Sequence, residues 1–186
     1  MVRSFDATPV DLNWLEQRCA EALWAPSAGN TAGVRLYTVG RSLVSAFIEH
    51  ATDEHWRSTS RRAPGLARAG AVVLVTSRPG DYAARYAEDD KHDPRLASIQ
   101  EWPVPYWHAD AAMVTMALLL LLEETGWQAT IWGNFRHDDR ILRWADISGE
   151  ELFCSVLIGR ADGHDQASAS LRREVPPRAQ RVRRIG

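Results

Sequence analysis

Residues 106–135 read YWHADAAMVTMALLLLLEETGWQATIWGNF, and the reading of this stretch decides the fold. Between Ala109 and Leu122 only Asp110 and Thr115 interrupt an apolar run, so a helix here has no broad polar face to turn toward water. It is also too short, and too closely followed by Glu123 and Glu124, to cross a bilayer, which takes about twenty apolar residues in succession. What remains is a central helix in a soluble protein, and such a helix needs cover on every side. A chain of 186 residues has little material for wrapping one helix completely, so a second copy is expected to supply part of the cover. The sequence predicts a homodimer.

Downstream of this helix, Thr125 and Gly126 supply the stop. Residues 127–132 (WQATIW) are β-prone. GNFRHDDR follows, where Asp138 or Asp139 is expected to cap a short helix reaching Trp144. Residues 153–158 (FCSVLI) read as the last strand. Upstream, residues 80–105 are polar and aromatic, the composition of a lid or binding loop. Residues 71–77 (AVVLVTS) form a continuous apolar run that suits a strand buried on both faces. Residues 52–69 carry Arg57, Arg61, Arg62 and Arg68 around Trp56 and read as a solvated helix face rather than an anion patch. Near the start, Thr8 and Pro9 suggest a helix cap and first turn, with a helix running to about Trp24 and burying Leu12, Leu15, Cys19 and Leu23. Residues 25–33 (APSAGNTAG) are turn-forming, residues 34–39 (VRLYTV) alternate as a strand does, and a helix is expected from Ser42 to about Ala51. The last twenty residues, 167–186, hold six arginines without apolar periodicity and read as a disordered tail or an extended arm laid across a partner. The expected fold class is α+β in a single domain, with a mixed sheet of about four to five strands flanked by helices.

Composition narrows the chemistry. A formal net charge of −2, with no aromatic-basic interleaving in the tail, argues against nucleic-acid binding. Cys19 and Cys154 stand apart from each other and from any metal-ligand spacing. Six histidines never fall four apart, HExxH is missing, and neither GxSxG, a P-loop nor GxGxxG occurs, so metal hydrolysis, serine hydrolysis and the usual phosphate cradles are not expected. His108 and Asp110 point apart on a helix and read as helix-start residues rather than an acid/base couple. The N-terminus has no apolar run of the signal-peptide kind, and a cytoplasmic location is expected.

Four segments in register carry a resemblance: ALWAPSAGN (22–30), the apolar helix leading into GWQATIWGNF (126–135), FCSVLIGRAD (153–162) and the Arg172-Arg173 pair. Together they resemble the FMN-dependent nitroreductase family over nearly the whole chain, and WPVPYWHADAAM (102–113) resembles a small actinobacterial-type branch of it. The resemblance implies a homodimer with two FMN sites, each built from both chains. Pro26, Ser27, Ala28, Gly29 and Asn30 would lie along the flavin ring and ribityl chain. Trp132, Gly133 and Asn134 would approach its redox-active nitrogen, where a backbone amide stabilises developing negative charge. Arg172 or Arg173 would hold the phosphate, since a guanidinium matches its oxygens in pairs. Arg3 and Phe5 match only the second half of the family's opening Arg-x-Ser-x-Arg/Lys-x-Phe/Tyr motif. Either the start lies upstream or the phosphate is held with fewer ligands, at a cost of about 1.5–3 kcal/mol for one charged hydrogen bond.

The implied activity is transfer of electrons from NAD(P)H through FMN to a flat nitroaromatic or quinone-like acceptor, with no side chain as nucleophile. Residues 80–107 would form the substrate segment, with Tyr82, Tyr86, Trp102, Tyr106 and Trp107 as an aromatic slot. Two alternatives are a biosynthetic flavin dehydrogenase or oxidase acting on a peptide-derived ring, and a flavin-binding partner protein without turnover.

Overall fold

The structure, a computed structural model, describes all residues except Phe135, Gln166, Ala167 and Gly186, and the side chain of Ala169. Four strands, β1 (Val34–Gly40), β2 (Ala71–Ser77), β3 (Gln128–Trp132) and β4 (Glu151–Gly159), make one sheet in the order β1-β2-β4-β3. Every neighbouring pair is antiparallel, so the sheet is not mixed as expected. The helical connections return each strand in the opposite direction, and no single-helix crossover links parallel neighbours.

β2 is buried along its whole length, because it lies between β1 and β4 with helices over both faces. Val73 and Val75 point into one core with Leu15 and Cys19 of α1 (Leu12–Ala22) and Ala111, Val114, Leu118 and Leu122 of the central helix. Val72 and Leu74 point into the other, with Phe47 and Ile48 of α2 (Val44–Ala51) and Phe5 from the N-terminal segment. Two short helices, α3 (Glu54–Thr59) and α4 (Ala63–Leu66), lead into β2. α5 (Pro79–Tyr86) follows it, α6 (Tyr106–Glu124) is the central helix, and α7 (Asp138–Trp144) precedes β4.

The central helix is covered on one side only. Trp107, Asp110, Ala111, Val114, Thr115, Leu118 and Leu122 are buried, whereas Met113, Met116 and Leu120 stay 40%, 53% and 59% exposed. These three are spaced by three and four residues and share one face. Gly126 closes the helix with φ +79°, the left-handed cap its sequence announces.

Several boundaries move. α1 starts at Leu12, not Pro9, because the Asp11 carboxylate accepts the Trp14 N–H at 2.9 Å and out-competes Thr8 as cap. Leu12 and Leu23 are consequently partly exposed while Ala22 is buried. His137, not Asp138 or Asp139, is the cap position of α7, and the two aspartates occupy its first turn, where carboxylates complement the helix dipole. The segment after β2 is not one long loop, since Pro79 starts α5 at once. The described part of the tail has two short 3-10 turns and is otherwise extended and almost wholly exposed; Ala167, where that segment was expected to begin, lies outside the described residues.

Gly70 is where the N-terminal segment meets the sheet: its N–H donates to the Ile158 carbonyl at 2.7 Å, and a Cβ there would stand 2.2 Å from the Thr8 carbonyl oxygen. Gly70→Ala is expected to lower stability by about 1–3 kcal/mol through this overpacking. Gly80→Ala, with nothing within 4 Å of the new methyl, should be neutral or slightly stabilising. Urea denaturation of both variants checks the contrast, and equal midpoints would contradict the assigned packing.

Candidate functional site

The turn at residues 26–30 is held from three directions. The Ala28 N–H donates to Asp110 Oδ2 at 2.9 Å, Ala32 N–H donates to Ser27 Oγ at 3.0 Å, and Arg85 Nε donates to the Gly29 carbonyl at 2.9 Å. Gly29 and Asn30 both have positive φ, 62° and 56°, the region glycine and asparagine tolerate best. Tyr86 closes over Gly29, so that a Cβ on it would meet the ring at 2.7 Å. Asp110, only 1% exposed, also accepts the Tyr82 hydroxyl at 2.7 Å. One buried carboxylate on α6 therefore joins this turn to α5, and burial together with that hydrogen bond pushes the Tyr82 phenol well above its ordinary range.

The turn at residues 132–134 sits at the same end of the sheet but at the opposite edge. β1 begins just after the first turn and β3 ends at the second, with β2 and β4 between them. Three inter-strand steps separate the two edges by roughly 14 Å. A cavity of about 300 Å³ opens here, lined by Thr52, Asp53, Trp56, Trp132, Gly133, Asn134 and others. Trp56 and Trp132, ring centres 5.5 Å apart and inclined at 33°, form one wall of it. Asn134 Oδ1 accepts the Ser155 hydroxyl at 2.7 Å, while its Nδ2 is buried without a hydrogen-bond partner among the described residues. An orphaned amide donor beside an indole wall fits a planar heterocycle with a carbonyl at its edge. On the other side of Gly133 an apolar groove of about 460 Å³ runs along α6, lined by Ala112, Thr115, Met116, Leu119, Ile131 and Phe153. Cys154 also borders it, but burial raises its thiol to about 11, so it is not a nucleophile. Among the described residues, the two cavities on the first turn share no lining residue with the two on the second.

The five aromatic residues of the 80–107 segment form a packed cluster. Trp102 is the hub, within 4.7 to 6.1 Å of Tyr82, Tyr86, Tyr106 and Trp107, always steeply inclined or edge to face. Tyr82 is fully buried and Trp107 nearly so. Tyr86, Trp102 and Tyr106 remain on a cavity of about 520 Å³ that reaches Ala28. Arg3 is half-buried, and the backbone of its segment runs beside β3, where the Val2 N–H donates to the Ala129 carbonyl at 3.2 Å. Arg172 and Arg173 are exposed on the tail, and Phe135 lies outside the described residues. The contribution of Thr52, Asp53 and Trp56 was not visible in the sequence. Residues 52–56 read as a solvated face there, and only the fold brings them against β3. No group of three potential metal ligands occurs among the described residues, and no helix is long and apolar enough to cross a membrane.

The sheet carries an indole-walled cavity at its edge beside an apolar groove along the central helix, and the family match makes the chain a flavin-dependent oxidoreductase. The nitroreductase family pattern matches residues 1–160, and the chain belongs to that family, which assigns FMN as its cofactor. Among solved structures it is similar to an enone reductase of gut-bacterial fatty-acid saturation metabolism (18% identity, TM-score 0.71, covering 100% of this chain and 93% of that chain). It is also similar to a nitroreductase family protein of Streptococcus pneumoniae (15%, 0.70, 99% and 94%). A third is a putative nitroreductase in complex with FMN from Desulfovibrio desulfuricans (13%, 0.66, 100% and 91%). No match is found among curated proteins.

Asp110→Ala removes the acceptor of both the Ala28 amide and the Tyr82 hydroxyl, and is expected to cost about 2–4 kcal/mol, against about 1 kcal/mol for Tyr82→Phe. Chemical denaturation measures both, and an Asp110→Ala no worse than Tyr82→Phe would contradict the shared clamp.

Proposed function

We propose that the chain is a homodimeric NAD(P)H-dependent reductase of flat nitroaromatic or quinone-like acceptors, with one FMN between the two halves of each shared site. The carrying observation is the separation of the two flavin turns within one chain, combined with the bare Met113, Met116 and Leu120 face between them. Pairing that face with its copy about a two-fold axis covers the apolar side chains and brings the 26–30 turn of one chain toward the 132–134 turn of the other. Exposed apolar side chains on the tail, Leu171, Val175, Val182 and Ile185, suit an arm that crosses onto the partner and carries Arg172 or Arg173 to the phosphate. The resemblance of residues 102–113 is the basis for placing the chain in a small actinobacterial-type branch.

Bound FMN supplies reversible two-electron chemistry. Around it, Trp56 and Trp132 would flank the ring and exclude water, Asn134 Nδ2 would donate to a ring-edge carbonyl, and the Gly133 backbone would approach without bulk. Arg3 would reach the phosphate from the N-terminal segment. Tyr86, Trp102 and Tyr106, on the cavity that reaches Ala28, would contact the acceptor as the outer wall of the 80–107 lid.

Purified protein given FMN should retain a yellow flavin spectrum through gel filtration, bleach anaerobically with NADPH or NADH, and recover colour on adding a quinone or nitroaromatic. Bleaching only by an organic substrate would replace this reading with the biosynthetic oxidase. Failure to retain FMN, or flavin that nothing reduces, would overturn it.

A further inference from the structure

The aromatic residues of the 80–107 segment were expected to make a flat slot, and the structure gives them another shape. Trp102 stands at 71° to Tyr86, ring centres 4.7 Å apart, and at 66° to Tyr106, 6.0 Å apart. Three rings so inclined enclose a corner, in which a flat acceptor can stack on only one of them. The corner is held in place: the Trp102 indole N–H donates to the Leu96 carbonyl at 2.8 Å, and the Tyr86 ring lies against Gly29. All three rings line the cavity of about 520 Å³ that reaches Ala28, and Asp93, Arg95 and Glu101 supply its charged groups. Arg95 is engaged by Asp93, Nε to Oδ1 at 3.0 Å and Nη2 to Oδ2 at 2.7 Å. The exposed Glu101 carboxylate joins no ion pair among the described residues, so the cavity is left net negative. Residues 79–107 as a whole hold six carboxylates and three cations, a net of −3 in a chain whose total is −2. The chain also shows what these rings take, because Lys91, its single lysine, holds Nζ 4.8 Å from the centre of the Tyr86 ring.

We infer that the corner of Tyr86, Trp102 and Tyr106 binds an alkylammonium group carried by the acceptor, with Glu101 as its counter-charge. This rests on the flavin reading above, in which the acceptor's reducible ring lies at the flavin beside the 26–30 turn and its side chain is left to the corner. The faces of indole and phenol rings carry negative charge density, so rings inclined around one point attract a cation placed among them. A quaternary ammonium suits the corner best. Its methyl groups can touch all three rings, and it has no N–H whose hydrogen bonds to water would be lost on entry. The corner selects and positions the acceptor and takes no part in the electron transfer.

Two benzoquinones test this, alike except that one side chain ends in a trimethylammonium group and the other in the neutral tert-butyl group of the same shape. FMN-loaded protein is reduced anaerobically with dithionite, and its second-order re-oxidation is followed by stopped flow. The wild type should favour the cation about tenfold, and Tyr106→Leu and Glu101→Gln should each cut that ratio about threefold. Glu88→Gln, which removes a carboxylate outside the cavity, should leave the ratio within about twofold. A wild-type ratio near one would overturn the proposal. Equal falls for Glu88→Gln and Glu101→Gln would also overturn it, since the overall charge of the segment would then be acting in place of the corner. Calorimetry with choline and its neutral counterpart 3,3-dimethylbutan-1-ol needs no turnover: the wild type should bind choline in preference, and Tyr106→Leu should lose the preference. Equal binding of the two, or binding of neither, would contradict the cation site. A protein that prefers choline yet takes up no FMN would keep the cation site and overturn the flavin reading.

Discussion

The structure depends on one helix that its own chain cannot cover. Residues 109–122 are apolar on nearly every face, and the sheet with α1 takes one side of them into the core. The Met113, Met116 and Leu120 face is left to water in a single chain. Burying such side chains yields roughly 25 cal/mol for each square ångström removed from water, a standing drive toward association. On the reading proposed here that drive positions the cofactor as well, because the two flavin turns lie at opposite edges of the sheet on either side of this face.

The N-terminal end of the same helix gathers the polar chemistry. Asp110 turns inward and clamps the 26–30 turn and Tyr82. His108, two residues earlier, pairs with Glu151 at 2.8 Å. Residues two apart on a helix project in different directions, so one turn of α6 meets both the 26–30 turn beside β1 and the start of β4.

Much of this was legible before the fold was known, and the exceptions share a cause. The run at 71–77 announced a doubly buried strand, and Gly126 announced the helix stop, because local patterning decides both. Pro26–Asn30 stood out as a turn by composition, and both it and Trp132–Asn134 were singled out as a site by family resemblance alone. The His108–Glu151 pair spans 43 residues and the Asp110–Ala28 bond 82, and no local pattern encodes either. Thr52, Asp53 and Trp56 were hidden in the same way, polar residues whose partner strand lies more than seventy positions downstream. The aromatic residues of the 80–107 segment were recognised as a group, but their number concealed that Trp102 fills the space among the others.

The central claim is that each flavin is held by the 26–30 turn of one chain and the 132–134 turn of another, and subunit complementation tests it most directly. Asn30→Arg damages the first turn and Gly133→Trp the second, so neither variant alone should retain FMN after gel filtration. Unfolded together and refolded as a mixture, half the dimers carry both lesions on one side and an intact site on the other. The mixture should then regain about a quarter of the wild-type bound flavin. A mixture as empty as its parents would show that both turns of a site come from the same chain, and would contradict the account.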